Sequence, residues 1–305
     1  MNTNRTNIYE GVIVPMVTPF NSNGKINKDD AAKMTRYLLS HSVIPFILGT
    51  SGEVYSISLD ERDILVEVLL ENRKEGVPLI AGMGGLTFDD TVREANKYFE
   101  WGMDAVVLTL PGYFELKEEQ VYEYFRELSD KLNGNIILYN IPATIHNSIS
   151  VTVADRLSKV ENIIGIKDSE FDENRLNLSL RKWKHREDFF YLVGVNEVMH
   201  KALRMGADGL VPSTANLAPK LYTSMMSSAK NNQFNEVDRI QLQTEEILSI
   251  YKNGHLLGES IATLKYLVSL SGMMSPYMLS PLTELPEEEK REALRKWEHI
   301  DKYWK

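Results

Sequence analysis

The sequence predicts an α/β fold, a (β/α)8 TIM barrel with additional C-terminal helices, and three observations predict it. Short apolar runs alternate with helix-periodic segments at intervals of roughly 30 residues, a strict βα alternation that implies a parallel sheet with right-handed crossovers. Eight such runs precede residue 217, the number that closes a barrel. The fingerprint of the rival architecture, an open doubly wound sheet, is missing. Gly82-Met83-Gly84-Gly85 follows a strand, but there is no G-x-G-x-x-G with a suitably placed acid. That glycine cluster reads either as a crowded strand exit beside a pocket or as a plain turn.

Residues 11–18 form the first strand, stopped by Pro19 and an Asn-Ser-Asn-Gly turn at 21–24. Asn27 caps a helix over 28–40 with Ala31, Met34, Leu38 and Leu39 on one face. Residues 44–48 are the second strand. Ser58 caps the next helix, Glu61 completes a capping box, and Leu59, Ile64, Leu65, Val68 and Leu69 make the apolar stripe. Strands at 77–81 and 105–110 flank a helix over 88–101. A helix over 118–131 leads into the strand 136–139, and one over 151–158 into the strand that ends at Lys167. A helix over 172–183, a strand at 189–193, a helix over 197–205 and a short strand at 209–211 complete the alternation. Beyond Leu217 the pattern is helical only, through about Trp304, with Pro276, Pro281 and Pro286 as punctuation. The expected organisation is a barrel over 1–216 and a helical extension over 217–305 packed on it.

Composition narrows the function classes. With 305 residues, 43% hydrophobic and 25% charged, the chain can build a sizeable core. A net charge of -9 argues against nucleic acid or an anionic membrane as partner, though not against a small anion held by a local field. The absence of cysteine excludes disulfides, thiolate catalysis and Cys-ligated metals. Residues 1–10 carry no apolar core of a signal peptide, and no stretch approaches the roughly 18–20 apolar residues that span a bilayer. A cytoplasmic protein is expected.

The candidate nucleophile lies in Ile163-Ile164-Gly165-Ile166-Lys167-Asp168-Ser169. An apolar run buried on both faces ends in a lysine, and burial of an ammonium favours the neutral amine. A neutral amine attacks a ketone to form a Schiff base. The plain alternative is a strand-end lysine paired with Asp168 or snorkelling to water.

In a barrel the chemistry sits at the C-terminal strand ends. Reading only those ends gives Thr50 and Ser51, Tyr113, Tyr139, Lys167, then Gly194, Asn196 and Glu197, and Ser213. Gly49-Thr50-Ser51-Gly52 can offer hydroxyl and backbone N–H donors to the carboxylate of a 2-oxo acid. Tyr139 can shuttle protons if Thr50 relays to it. Gly194 leaves room beside the lysine. Each feature alone has a structural reading: a turn and helix cap for the first, a core tyrosine with a wet tip for the second.

Together these residues resemble the family of pyruvate-dependent class I aldolases that includes dihydrodipicolinate synthase and N-acetylneuraminate lyase. The likeness is carried by Val17-Thr18-Pro19-Phe20, Gly49-Thr50-Ser51-Gly52-Glu53, Tyr139-Asn140-Ile141-Pro142 and Gly165-Ile166-Lys167-Asp168. The resemblance implies Lys167 as the Schiff-base lysine and Tyr139 as proton shuttle, with Thr50 and Ser51 serving the pyruvyl carboxylate and the relay. It implies that Tyr113 reaches a neighbouring subunit's site in a homotetramer built as a dimer of dimers. It implies no metal or organic cofactor.

Within the resemblance, synthases making dihydrodipicolinate usually carry an arginine two residues after the proline of Tyr-Asn-x-Pro, where a guanidinium can clamp a second carboxylate. Thr144 stands there. Asn196, Glu197 and Ser213 resemble the hydroxyl-binding groups of sialic-acid lyases, and Val211 closes the last strand beside them. Lys167-Asp168-Ser169 resembles the motif of 2-keto-3-deoxy sugar-acid aldolases, and His146, where the family often has glycine, reads as a substrate contact or a loop cap. The expected activity is reversible cleavage of a 2-keto-3-deoxy sugar acid, or a sialic-acid-like substrate, to pyruvate and an aldehyde. Condensation of pyruvate with aspartate semialdehyde by a 4-hydroxy-tetrahydrodipicolinate synthase, a dehydratase working through the same imine, and a non-catalytic keto-acid-binding paralogue are the alternatives.

Overall fold

Eight strands close into a parallel barrel in the order of the sequence, β1 to β8. The structure is a computed structural model and describes residues 7–301. The strands are β1 (Gly11–Pro15), β2 (Ile44–Ile47), β3 (Ile80–Gly82), β4 (Ala105–Thr109), β5 (Asn135–Asn140), β6 (Ile163–Asp168), β7 (Phe190–Val193) and β8 (Gly209–Leu210). Between them run α1 (Lys28–Ser40), α2 (Leu59–Glu71), α3 (Phe88–Trp101), α4 (Glu118–Lys131), α5 (Pro142–Ile145), α6 (Val151–Leu157), α7 (Glu173–Trp183) and α8 (Met199–Met205). Four helices follow: α9 (Pro219–Lys230), α10 (Phe234–Lys252), α11 (Leu257–Ser269) and α12 (Glu287–Asp301). Among the described residues no helix is long and apolar enough to cross a membrane.

The unbroken apolar runs have the cause expected of a barrel. Every residue of β2, β6 and β7 is buried, because the barrel interior takes one face and the helices the other. Helix starts follow their caps. Asn27 accepts from the Asp30 backbone N–H, Thr87 from that of Asp90, and Asp172 from that of Arg175. Gly102, at φ 109°, ends α3 in the left-handed region that favours glycine.

Several expected boundaries move. The first strand ends at Pro15, and the third begins at Ile80 rather than 77. Residues 196–198 form a 3-10 turn before α8, and α5 is a short helix the hydrophobic pattern was too brief to signal. The capping box at Ser58 does not form. The Ser58 hydroxyl makes no cap bond, and Glu61 instead accepts from the Ile26 backbone N–H at 2.7 Å and pairs with Lys25 at 3.2 Å. The C-terminal tail is interrupted between α11 and α12, in the stretch holding Pro276, Pro281 and Pro286, where the missing N–H groups forbid a continuous helix. Trp304 and residues 1–6 lie outside the described residues.

The chain divides into two compact units. One unit runs over Glu75–Pro212 with the chain up to Ile13; the other joins Val14–Lys74 to the chain from Ser213 onward. In the first, β3 to β8 pair in sequence and β8 pairs with the start of β1, Gly11 opposite Gly209. In the second, the C-terminal segment is stitched to the first two βα repeats. Asn216 accepts from the Val17 backbone N–H at 3.1 Å and donates to the Pro15 carbonyl at 3.0 Å, and Tyr37 donates to the Leu217 carbonyl.

Candidate active site

The ends of β5 and β6 bring two of the predicted residues side by side. Their parallel register sets Tyr139 opposite Lys167 and Asn140 opposite Asp168, so the first pair projects from one face and the second from the other. Both Tyr139 and Lys167 are buried, and the Lys167 Nζ lies 3.8 Å from the centroid of the Tyr139 ring. A lysine buried against a phenol ring at a barrel strand end pairs two side-chain types that can serve Schiff-base chemistry, an amine that can attack a carbonyl and a hydroxyl that can carry a proton.

The opposite face carries the support. Asp168 would be a lone carboxylate in the protein interior, a costly arrangement unless paired. Its Oδ2 accepts from Arg175 Nε at 2.7 Å and from the Tyr191 hydroxyl at 3.0 Å, and its Oδ1 accepts from Asn140 Nδ2 at 2.8 Å. Burial, reinforced by the Asp168 carboxylate, pushes the Tyr191 hydroxyl well above the ordinary phenol range, so it stays a donor. Asn140 also accepts from the Ile149 backbone N–H at 2.9 Å, and its amide shares Glu170 with the Ser148 hydroxyl. One carboxylate thus ties β5, β6, β7 and α7 together one residue beyond Lys167.

Two glycines fit this frame closely. A Cβ on Gly165 would meet the Phe190 ring at 2.4 Å and the Phe190 carbonyl at 2.7 Å. A Cβ on Gly194 would meet Ser169 Oγ at 2.1 Å, so the space at Gly194 is filled by Ser169. The Gly194 N–H donates to the Asp168 carbonyl at 2.7 Å, which continues the ladder past the strand ends.

The other predicted residues take varied positions in the same unit. Asn196 is buried and Glu197 exposed in the 3-10 turn after β7, and Val211 is buried just after β8. Thr144 is exposed at the end of α5, its hydroxyl turned back to the Ile141 carbonyl at 3.2 Å. His146 ends α5 at φ 55°, in the loop-capping place rather than in a regular element. Tyr113 stands 92% exposed with its ring edge against Phe114.

In the second unit, Thr50 and Ser51 lie half-buried in the turn after β2. Ser213 is bonded within its own unit: Tyr251 of α10 contacts its Oγ at 2.9 Å and Thr214 Oγ1 at 2.7 Å. Two supports here escaped sequence reasoning. Thr18 donates to the Gly52 carbonyl at 2.7 Å, and Glu53 pairs with Lys265 of α11 at 2.6 Å. The first joins two of the family-like motifs; the second spans more than 200 residues and leaves no local signal. Among the described residues no group of three His, Cys, Asp or Glu is placed to hold a metal ion.

A family model for the dihydrodipicolinate synthetase family matches residues 8–299. The chain belongs to that family. A 4-hydroxy-tetrahydrodipicolinate synthase of Alkalilimnicola ehrlichii is 27% identical over 282 residues, covering 92% of this chain and 95% of the relative. A dihydrodipicolinate synthase structure from Bacteroides thetaiotaomicron matches with a TM-score of 0.90 at 27% identity, over 95% of this chain and 98% of that one. The sialic acid aldolase of Ruminococcus gnavus shares the fold, with a TM-score of 0.88 at 22% identity over 98% of this chain and all of that one. The four motifs, between residues 17 and 168, all lie within the range that the family model matches.

Proposed function

We propose that the protein is a Schiff-base-forming lyase that reversibly cleaves a 2-keto-3-deoxy sugar acid, or a sialic-acid-like substrate, to pyruvate and an aldehyde. The observation that carries this reading is the Lys167 amine lying 3.8 Å from the Tyr139 ring at matched strand ends. The Lys167 Nζ attacks the C2 ketone, and the carbinolamine loses water to give a protonated imine. Tyr139 takes the proton of the C4 hydroxyl as the C3–C4 bond breaks. The bonding pair moves into the imine as an enamine, and the aldehyde leaves. Protonation at C3 and hydrolysis then release pyruvate and restore the amine. No metal or organic cofactor enters this sequence.

Thr50 and Ser51 serve the substrate carboxylate and the proton relay. On this reading Gly194, Asn196, Glu197, Val211 and Ser213 are assigned to the polyhydroxylated end of the substrate. The exposure of Tyr113 on a single chain supports the role of a residue that completes a neighbouring subunit's site in a homotetramer, a dimer of dimers.

The names of the curated relatives favour a second reading, condensation of pyruvate with aspartate semialdehyde. Thr144 weighs against it, because an exposed hydroxyl bonded to its own helical turn cannot supply a bidentate cationic clamp. A panel of 2-keto-3-deoxy sugar acids, assayed by coupled detection of pyruvate, separates the two. At least one such acid is expected to turn over with a kcat/KM about 100-fold above that for aspartate semialdehyde with pyruvate. Preference for aspartate semialdehyde would overturn the sugar-acid assignment.

A further inference from the structure

Glu53 closes the motif Gly49-Thr50-Ser51-Gly52-Glu53 in an uncommon conformation. Its φ is 59° and ψ 32°, the left-handed region, which a residue bearing a Cβ occupies only where its surroundings over-determine it. The surroundings are specific. The Glu53 side chain is 0% exposed, as is that of Lys265, whose Nζ lies 2.6 Å from Glu53 Oε1. Glu53 Oε2 accepts from the Leu279 backbone N–H at 3.1 Å, while Lys265 also donates to the Tyr277 carbonyl and lies 4.3 Å from the Phe20 ring centroid. Burial pulls Lys265 below the ordinary lysine range, and the Glu53 carboxylate opposes that pull.

The rest of the turn is gripped from the other side. Thr18 donates to the Gly52 carbonyl at 2.7 Å, and a Cβ on Gly52 would meet the Met16 carbonyl and Thr18 Oγ1, both at 3.1 Å. Within the turn, the Gly52 and Glu53 N–H groups bond back to the Gly49 and Thr50 carbonyls. The turn is thus a rigid clasp between the segment following β1 and α11, with Thr50 and Ser51 at its apex.

We propose that Lys265 is a positioning residue for the carboxylate of the 2-oxo acid substrate: through Glu53 it fixes the turn that presents Thr50 and Ser51 to that carboxylate. The proposal rests on the aldolase reading above. It gives the C-terminal helices a part in substrate recognition, since α11 and the Leu279 segment both end on the Glu53 carboxylate. A buried ion pair is weak evidence of stability by itself, because apolar replacement of both partners is often tolerated. Its placement behind a ligand-binding turn is what makes a positioning role the economical account.

The test uses the full-length chain carrying Lys265→Met with Glu53→Gln, which leaves no uncompensated buried charge and keeps an acceptor for the Leu279 N–H. Borohydride trapping is measured against increasing pyruvate and, separately, against acetone, a ketone without the carboxylate. The half-saturating pyruvate concentration is expected to rise about tenfold or more, the loss of one hydrogen bond to a charged group, with that for acetone unchanged. An equal change for both ketones, or no change for either, would overturn the positioning role. Should the double variant fail to melt cooperatively, the same pyruvate-to-acetone ratio is read on Glu53→Gln alone, where a selective rise for pyruvate supports the role and its absence overturns it. A wild-type chain trapped by neither ketone would overturn the aldolase reading itself, and the positioning role with it.

Discussion

Asp168 and Arg175 form an ion pair of 2.7 Å with their side chains 1% and 8% exposed, and Asp168, the last residue of β6, directly follows Lys167. A pair so withdrawn from water is punishing to break, since the surviving charge keeps its desolvation cost and loses its partner. Arg175→Met should therefore destabilise the fold by about 3–5 kcal/mol, measured by urea unfolding. A loss below about 1 kcal/mol would show that water or another group satisfies Asp168.

Tyr139→Phe keeps the ring over the Lys167 amine and removes only the hydroxyl. It should lower kcat by about 100- to 10,000-fold, the range for loss of a general acid–base group, while borohydride still traps pyruvate on the variant. Undiminished turnover would remove Tyr139 from the proton-transfer role.

Much of this was legible in the sequence, for local reasons. The β6 strand announces itself because an uninterrupted apolar run stops at Lys167, and α1 because Asn27 stands where a cap must. What the sequence hid was distant or competitive. Asp168 finds its partners 7 and 23 residues on, in different elements, and Glu53 finds Lys265 at the far end of the chain. At Ser58 the local signal was present and lost: Glu61 was drawn to the Ile26 N–H and Lys25, so the capping box it promised does not form. Gly194 shows the same limit, because sequence cannot tell room for a substrate from room for Ser169.

Gly165→Ala is the sharpest packing test near the site. The new methyl meets both the ring and the carbonyl of Phe190, which pairs with Gly165 across β6 and β7, so one strand must move. About 1–3 kcal/mol of destabilisation is expected, with a fall in kcat as Lys167 shifts. Wild-type stability together with wild-type kcat would contradict the packing described.

Asp208, whose Oδ2 accepts from the Tyr191 backbone N–H, is pushed up to about 6 by burial with a contribution from Glu10. The folded chain thus holds a proton there that the unfolded chain, near its ordinary value of about 4, releases earlier. The stabilising contribution is fully present below about pH 4 and is lost as pH rises through about 6. Asp208→Asn should abolish this dependence, so that Tm of the variant relative to wild type rises between pH 4 and pH 7. A Tm difference that stays constant across that range would contradict the assignment.

The central claim is that the Lys167 amine bonds covalently to a 2-oxo acid, and borohydride reduction in the presence of pyruvate, followed by peptide mass analysis, tests it most directly. A reduced pyruvyl adduct on the peptide containing Lys167, absent from the folded Lys167→Arg chain, is the predicted result. An unmodified Lys167 peptide from folded wild-type protein, or an adduct that persists elsewhere in Lys167→Arg, would contradict it.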